Sequence, residues 1–282
     1  MQFIARLVFG ARSVFFSMVA LLAVMPGLAT AEPLDRLIEL SGIEAQLAAT
    51  PEAFKRDFLV QVDGAFDDQT LREFESMIDR ALASEVMVAR LRSYLAARLS
   101  AEEVREVTRW YESDFGRRVT EFEVAASAPA ALEAMLASMD TLLNDAQRVV
   151  SVQEIESHLQ LVDYNLALVM VTQGALLDAI VAAAGREARI DRVSMQAMLD
   201  VKLAAIRPDV EYSTVAHLVY TYRELSAREM ESYLGVLQQP AMENFNRSMM
   251  LGIARMFEEA FDEFAVRLGE NIVQSQQIAS VR

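Results

Sequence analysis

The chain has 282 residues, of which 41 are acidic and 26 basic, giving a net charge of −15. An excess of negative charge this large repels phosphate backbones and anionic membrane surfaces, so it argues against nucleic-acid binding and electrostatic docking on membranes. The chain has no cysteine. Disulfides therefore cannot stabilise the fold, which has to rest on one large or two smaller hydrophobic cores.

The first 31 residues have the order of a secretory signal peptide. Arg6 and Arg12 precede an apolar run of 12 residues, and an Ala-x-Ala site follows it. The run is shorter than the roughly 20 residues that a spanning helix needs. We expect cleavage between Ala31 and Glu32, a periplasmic location and no stable membrane span after cleavage. The alternative is an uncleaved N-terminal anchor.

The composition predicts an all-helical protein. Glycine is scarce, whereas alanine, leucine, glutamate, arginine and methionine are abundant, and all five are good helix formers. We find no Asn-Gly or Asp-Gly pair flanked by the alternating residues of a β-hairpin. The predicted fold class is therefore all-α.

Several local patterns mark where helices should begin and end. Thr50-Pro51 supplies an N-cap and a proline at the first helical position. Ser-x-x-Glu sequences with the pattern of capping boxes begin at Ser100, Ser151 and Ser226. Breaks between helices are expected at Gly64, Ala128-Pro129, Arg207-Pro208 and Gln239-Pro240.

Two apolar segments in the second half predict buried helices. The segment 165–177 is too short and too polar to span a membrane, so we expect it to lie in a second core. Near the C-terminus, residues at helical spacing predict a helix with one apolar face. They are Ile253, Phe257, Ala260, Phe261, Phe264 and Leu268.

One motif occurs twice. Residues 98–119 and 224–245 align without a gap at a spacing of 126, and their apolar positions coincide. This recurrence predicts two tandem helical-bundle repeats, at 32–144 and 145–282, after the signal peptide at 1–31. The identical residues are Leu99, Ser100, Ala101 and Glu103, which recur as Leu225, Ser226, Ala227 and Glu229.

The first copy of the motif resembles the bacterial exported helical family known as domain of unknown function 2059. The pattern of that family is a capped helix with an acidic pair at its start, then an aromatic pair, a Ser-Pro-x-Gly break and a basic residue. Asp114 stands where the family has proline. The matching residues are Ser100, Glu102, Glu103, Trp110, Tyr111, Ser113 and Gly116, with Arg117 and Arg118 after the break.

The second copy matches the same pattern at fewer positions. Ser226 and Glu229 match its start and Pro240 matches its proline, whereas Gln239 and Met242 replace its serine and glycine. The resemblance implies an all-helical envelope protein without an established activity. We expect the motif positions to be structural.

No pattern in the sequence predicts catalysis. The chain has two histidines and lacks the nucleophile-elbow, P-loop and dinucleotide-binding motifs. Adjacent acidic residues on a helix point in directions about 100° apart, so they do not form an acid–base pair. We therefore predict no catalytic, cofactor-binding or metal-binding residue. His217 is expected to be a packed core residue.

Three classes of function stay open. We favour a non-enzymatic interaction or scaffold role with another protein of the cell envelope. The alternative is a carrier of a lipid or other apolar ligand, because ligand pockets form between helices of bundles and methionine is frequent here. An enzyme ranks last. A carrier needs a closed apolar cavity, a scaffold an exposed apolar patch and an enzyme a polar cleft.

Overall fold

The computed structural model describes residues 33–62, 68–126, 128–184 and 192–280. These residues form twelve α-helices and no strand, which confirms the all-α prediction. The predicted signal peptide and Gly64 lie outside the described residues. The helices α1 to α12 are Pro33–Leu40, Ile43–Val62, Asp68–Ala81, Ser84–Ala96, Ala101–Glu112, Asp114–Ala126, Pro129–Leu142, Ala146–Leu159, Leu161–Ala184, Arg192–Thr221, Ala227–Leu237 and Pro240–Ser280.

Two prolines do not interrupt their helices as predicted. Pro51 lies inside α2 and Pro208 lies inside α10. An internal proline costs about 3 kcal/mol and removes one backbone hydrogen bond. In α10, buried residues lie on both sides of the proline, among them Leu203 and Leu218. Packing on both sides therefore outweighs the local cost of the proline.

The predicted cap at Ser151 is also wrong. Helix α8 begins earlier, because the Asp145 side chain accepts a hydrogen bond from the backbone N–H of Arg148 at 3.1 Å and caps it. Ser151 lies within the helix and donates to the carbonyl oxygen of Gln147 at 3.3 Å. A local Ser-x-x-Glu pattern cannot exclude a better cap six residues upstream.

Two predicted breaks and both apolar segments agree with the structure. Helices α7 and α12 begin at Pro129 and Pro240. The segment 165–177 lies in α9, which packs along α12 and α10. Among the described helices, none is long and apolar enough to cross a membrane. On α12, the described part of the apolar stripe is partly or fully buried, from Ile253 to Phe261.

The main hydrophobic core contains side chains from both halves of the chain, residues 33–142 and 146–280. The C-terminal helix α12 packs on α3, α4 and α5 of the first half as well as on α9 of the second. Phe74 and Phe245, one from each half, are among its largest fully buried side chains. The predicted boundary at 144–145 falls in the turn between α7 and α8. The division into two repeats stays a prediction.

Candidate functional site

The two copies of the motif begin with the same hydrogen bonds. The backbone N–H and hydroxyl of Ser100 both lie 2.7 Å from Oε2 of Glu103, whose own N–H donates to the serine oxygen at 3.2 Å. Ser226 and Glu229 repeat these contacts at 2.8, 2.7 and 3.3 Å. Both capping boxes are thus confirmed. Glu102, beside the first box, is exposed.

The second oxygen of each capping glutamate contacts the opposite half of the chain. Asn244 Nδ2 donates to Oε1 of Glu103 at 2.8 Å, and the Arg118 guanidinium donates to Oε1 of Glu229. Hydrogen bonds from the serine of its own box and from Asn244 lower the pKa of Glu103. The Arg118 guanidinium, followed by the serine of the second box, lowers the pKa of Glu229 to about 2. Both glutamates are therefore carboxylates at neutral pH.

The serine and glycine of the first copy form the sharp corner between α5 and α6. The Ser113 hydroxyl donates to the carbonyl oxygen of Trp110 at 2.6 Å and accepts from the N–H of Gly116 at 2.9 Å. A Cβ atom on Gly116 would overlap the carbonyl oxygen of Trp110. Only glycine fits at this corner. In the second copy, α12 begins directly at Pro240.

The aromatic pair of the first copy packs against the second half. The ring of Trp110 stacks on Tyr233 of α11, with centroids 5.8 Å apart and planes 15° apart. Tyr111 is buried and meets the ring of Phe245 edge-on at 6.0 Å. The motif therefore lies at the junction between the halves.

A partly buried carboxyl group lies beside these aromatic rings. Glu123 of α6 accepts hydrogen bonds on Oε1 from the hydroxyls of Tyr222 at 2.7 Å and Tyr233 at 2.8 Å. Burial raises the pKa of Glu123. Burial, followed by the nearby charge of Glu123, raises the pKa of both tyrosines. The two hydroxyls therefore stay protonated and donate to the carboxyl group.

Next to this cluster lies a cavity of about 200 Å³ between helices of both halves. Its walls are mainly apolar and aromatic, and α6, α9, α10 and α12 all contribute to them. The lining includes Tyr111 and Glu123 from the first half, and Leu161, Tyr164, His217, Tyr222, Phe245, Asn246, Met249 and Ile253 from the second.

Three polar atoms of lining residues are enclosed and have no hydrogen-bond partner among the described residues. They are Oη of Tyr164, Nδ1 of His217 and Nδ2 of Asn246. An unsatisfied buried polar group costs about 1–3 kcal/mol, and native proteins contain few of them. The three residues that carry these atoms all line one cavity, which makes this cavity the candidate site.

The cavity is poorly suited to an anion. Its described lining contains no lysine or arginine and includes the carboxyl group of Glu123. Burial lowers the pKa of His217 to about 4, so its ring is neutral at physiological pH. We expected His217 to be a packed core residue, and it is partly buried. It also lines the cavity, and its Nδ1 atom is buried without a hydrogen-bond partner among the described residues. The walls thus disfavour an anionic ligand.

Sequence reasoning missed Glu123, Tyr164 and Asn246. Only Glu123 carried a detectable signal. It lies four residues after Val119 and three before Ala126, and both neighbours are buried, so a charged residue occupies the apolar face of α6. In the described part of the chain, no group of three histidine, cysteine or acidic residues could hold a metal ion.

Of three comparisons with known proteins, one matches part of the chain. No curated protein and no solved structure matches the chain. Residues 85–145 span α4 to α7 and contain the first copy of the motif. This segment matches the family model described as "Uncharacterized protein conserved in bacteria (DUF2059)", which confirms the resemblance found in the motif.

Proposed function

We propose that this is a non-enzymatic binding protein for a small, uncharged and largely apolar molecule. The ligand lies in the cavity at the junction of the halves. The observation that carries the proposal is that three residues lining one largely apolar cavity, Tyr164, His217 and Asn246, each have a buried polar atom without a partner among the described residues. Of the functions expected from the sequence, this is nearest to the carrier, with a cavity that is partly open rather than closed.

The size and chemistry of the cavity define the ligand. An apolar cavity of about 150 Å³ holds benzene, so the 200 Å³ present here suits a somewhat larger molecule. Leu161, Met249 and Ile253 provide apolar contacts. The amide nitrogen of Asn246 can only donate, so the ligand carries at least one acceptor, such as a hydroxyl or carbonyl oxygen.

The predicted signal peptide and the family resemblance support a role in the cell envelope. An interaction role there is the second candidate, because α4 and α12 border an open groove of about 680 Å³. Its lining includes the apolar residues Val86 and Met256 as well as the charged residues Glu85 and Arg255. A partner helix could lie in such a groove.

Thermal unfolding of the full chain with three matched probes tests the ligand proposal. Hexanol, hexanoate and hexylamine share one apolar chain and differ in charge. We expect hexanol to raise the melting temperature saturably and hexanoate to have no effect at equal concentration. Equal shifts with all three probes, or no saturable shift, would contradict the proposal.

A conservative variant gives the test its specificity. Tyr164→Phe removes one unpartnered hydroxyl, so the ligand-free protein should gain about 1 kcal/mol of stability. Its hexanol-induced shift should decrease, because the ligand loses a hydrogen bond. Tyr212→Phe is the control, since Tyr212 is 49% exposed. If both variants keep the native hexanol shift, the hydroxyl of Tyr164 does not bind a ligand.

A further inference from the structure

We propose that the two halves associate as two copies of one unit around a pseudo-two-fold axis. In this arrangement the motif is a self-recognition surface whose partner is a second copy of the same motif. The inference concerns the junction itself and does not depend on the ligand proposal.

The hydrogen bonds across the junction are reciprocal. In the alignment of the two copies, equivalent residues are 126 positions apart, so Glu103 corresponds to Glu229 and Arg118 corresponds to Asn244. In the structure, Glu103 pairs with Asn244 and Glu229 pairs with Arg118. Each contact is therefore the other contact with the halves exchanged, which is the pattern of a two-fold interface. In both pairs, Oε2 belongs to the capping box and Oε1 receives the donor from the opposite half.

The packing of helices across the junction is reciprocal as well. Helices α3 and α4 of the first half pack on α12 of the second. Conversely, α10 of the second half packs on α6 and α7 of the first half. A shift of 126 places α6 at residues 240–252 and α7 at residues 255–268, both within α12. The continuous helix α12 thus occupies the position that two helices fill in the first half.

The beginnings of the two halves also correspond. Gly42, with φ 72°, follows α1, and Gln160, with φ 54°, follows α8; they are the two described residues with positive φ. Each separates a short helix from a long one. Moreover, α1 packs on α4 and α5, and α8 packs on α10 and α11. The order of helices therefore corresponds beyond the motif, but these two residues are 118 positions apart (160 − 42), so the alignment differs there by eight residues from the shift of 126.

The cavity lies beside the proposed axis. Glu123 and Met249 are equivalent under the shift of 126, and both line it. Away from the axis the halves differ, since the equivalents of His217 and Asn246 are Leu91 and Thr120. One asymmetric cavity has thus formed at a junction where the contacts of Glu103 and Glu229 are reciprocal.

Moving the ion pair from one side of the axis to the other tests the proposal. Arg118→Asn removes the arginine from one side, and Asn244→Arg adds one at the equivalent position. Urea unfolding of the full chain should show a lower midpoint for the first variant and a higher one for the second. The double variant should return close to the native midpoint, because one Glu–Arg pair and one Glu–Asn pair are again present.

The expected size is a change of up to about fivefold in the unfolding constant at low salt, decreasing at high salt. Because Arg247 stands where the first half has Glu121, Asn244→Arg is also measured together with Arg247→Glu. Gln153→Arg, at an exposed position of α8, controls for the added positive charge. The inference is overturned if Asn244→Arg raises the urea midpoint no more than Gln153→Arg does, both with and without Arg247→Glu. It is also overturned if the double variant Arg118→Asn/Asn244→Arg stays as unstable as Arg118→Asn alone.

Discussion

Trp110 and Tyr233 stack face to face across the junction of the two halves, with their planes 15° apart. Trp110 is the one tryptophan of the chain. Its fluorescence therefore reports on the junction, whereas circular dichroism reports on helices throughout the protein.

This relationship predicts how the protein unfolds. Because the main core contains side chains from both halves, we expect fluorescence and far-UV circular dichroism to follow one urea transition with the same midpoint. Tyr233→Ala should shift the emission of the native protein by exposing the indole. A fluorescence transition that precedes the loss of helix would instead indicate two units that separate before they unfold.

Gly116 and Gly235 should respond in opposite directions to substitution by alanine. At Gly116 the new methyl group would overlap the backbone of Trp110, so we expect a loss of about 1–3 kcal/mol or more. Gly235 lies within α11 and has open space around it, so alanine there should stabilise by about 0.5–1 kcal/mol. Urea unfolding measures both changes. Equal effects at the two sites would contradict the steric explanation of the corner.

The capping boxes should contribute similarly in the two halves. Ser100→Ala and Ser226→Ala should each cost about 0.5–2 kcal/mol in unfolding free energy, because a backbone N–H at the helix start loses its acceptor. Ser93→Ala is the control, since Ser93 is exposed within α4 and donates only to the carbonyl of Ala89. An unchanged urea midpoint in either cap variant would remove that box as a stabilising feature.

His217 should make stability depend on pH. Burial lowers its pKa from 6.5 to about 4 in the folded state. Unfolding therefore takes up a proton at pH values between about 4 and 6.5. Above pH 6.5 the neutral ring of His217 does not reduce the free energy of unfolding, whereas this free energy decreases as the pH falls from 6.5 towards 4. His217→Leu, which copies the equivalent Leu91, should reduce this loss by up to about 3 kcal/mol. Unfolding free energies measured across this range should diverge for the two proteins. Parallel curves would show that His217 does not contribute.

Local features were predictable from the sequence, whereas the candidate site was not. The boxes at Ser100 and Ser226 involve residues three positions apart, so their pattern is visible in the sequence alone. Pro51 and Pro208 were misleading because each lies inside a helix that packs on neighbouring helices, and this packing outweighs the local preference of the proline. The partners of Glu123 are Tyr222 and Tyr233, separated from it by 99 and 110 positions. No short pattern brings such residues together.

The C-terminal helix has a consequence for the order of folding. Residues from Pro240 onwards pack on α3, α4 and α5, whose sequences lie far earlier in the chain. During synthesis, these early helices can pack on α1 and α2, but they lack their contacts with α12 until the last part of the chain emerges. The core is thus completed late, through contacts of long sequence separation, which slow folding compared with locally connected bundles. The helix that completes the junction is also the element that sets when the native state can form.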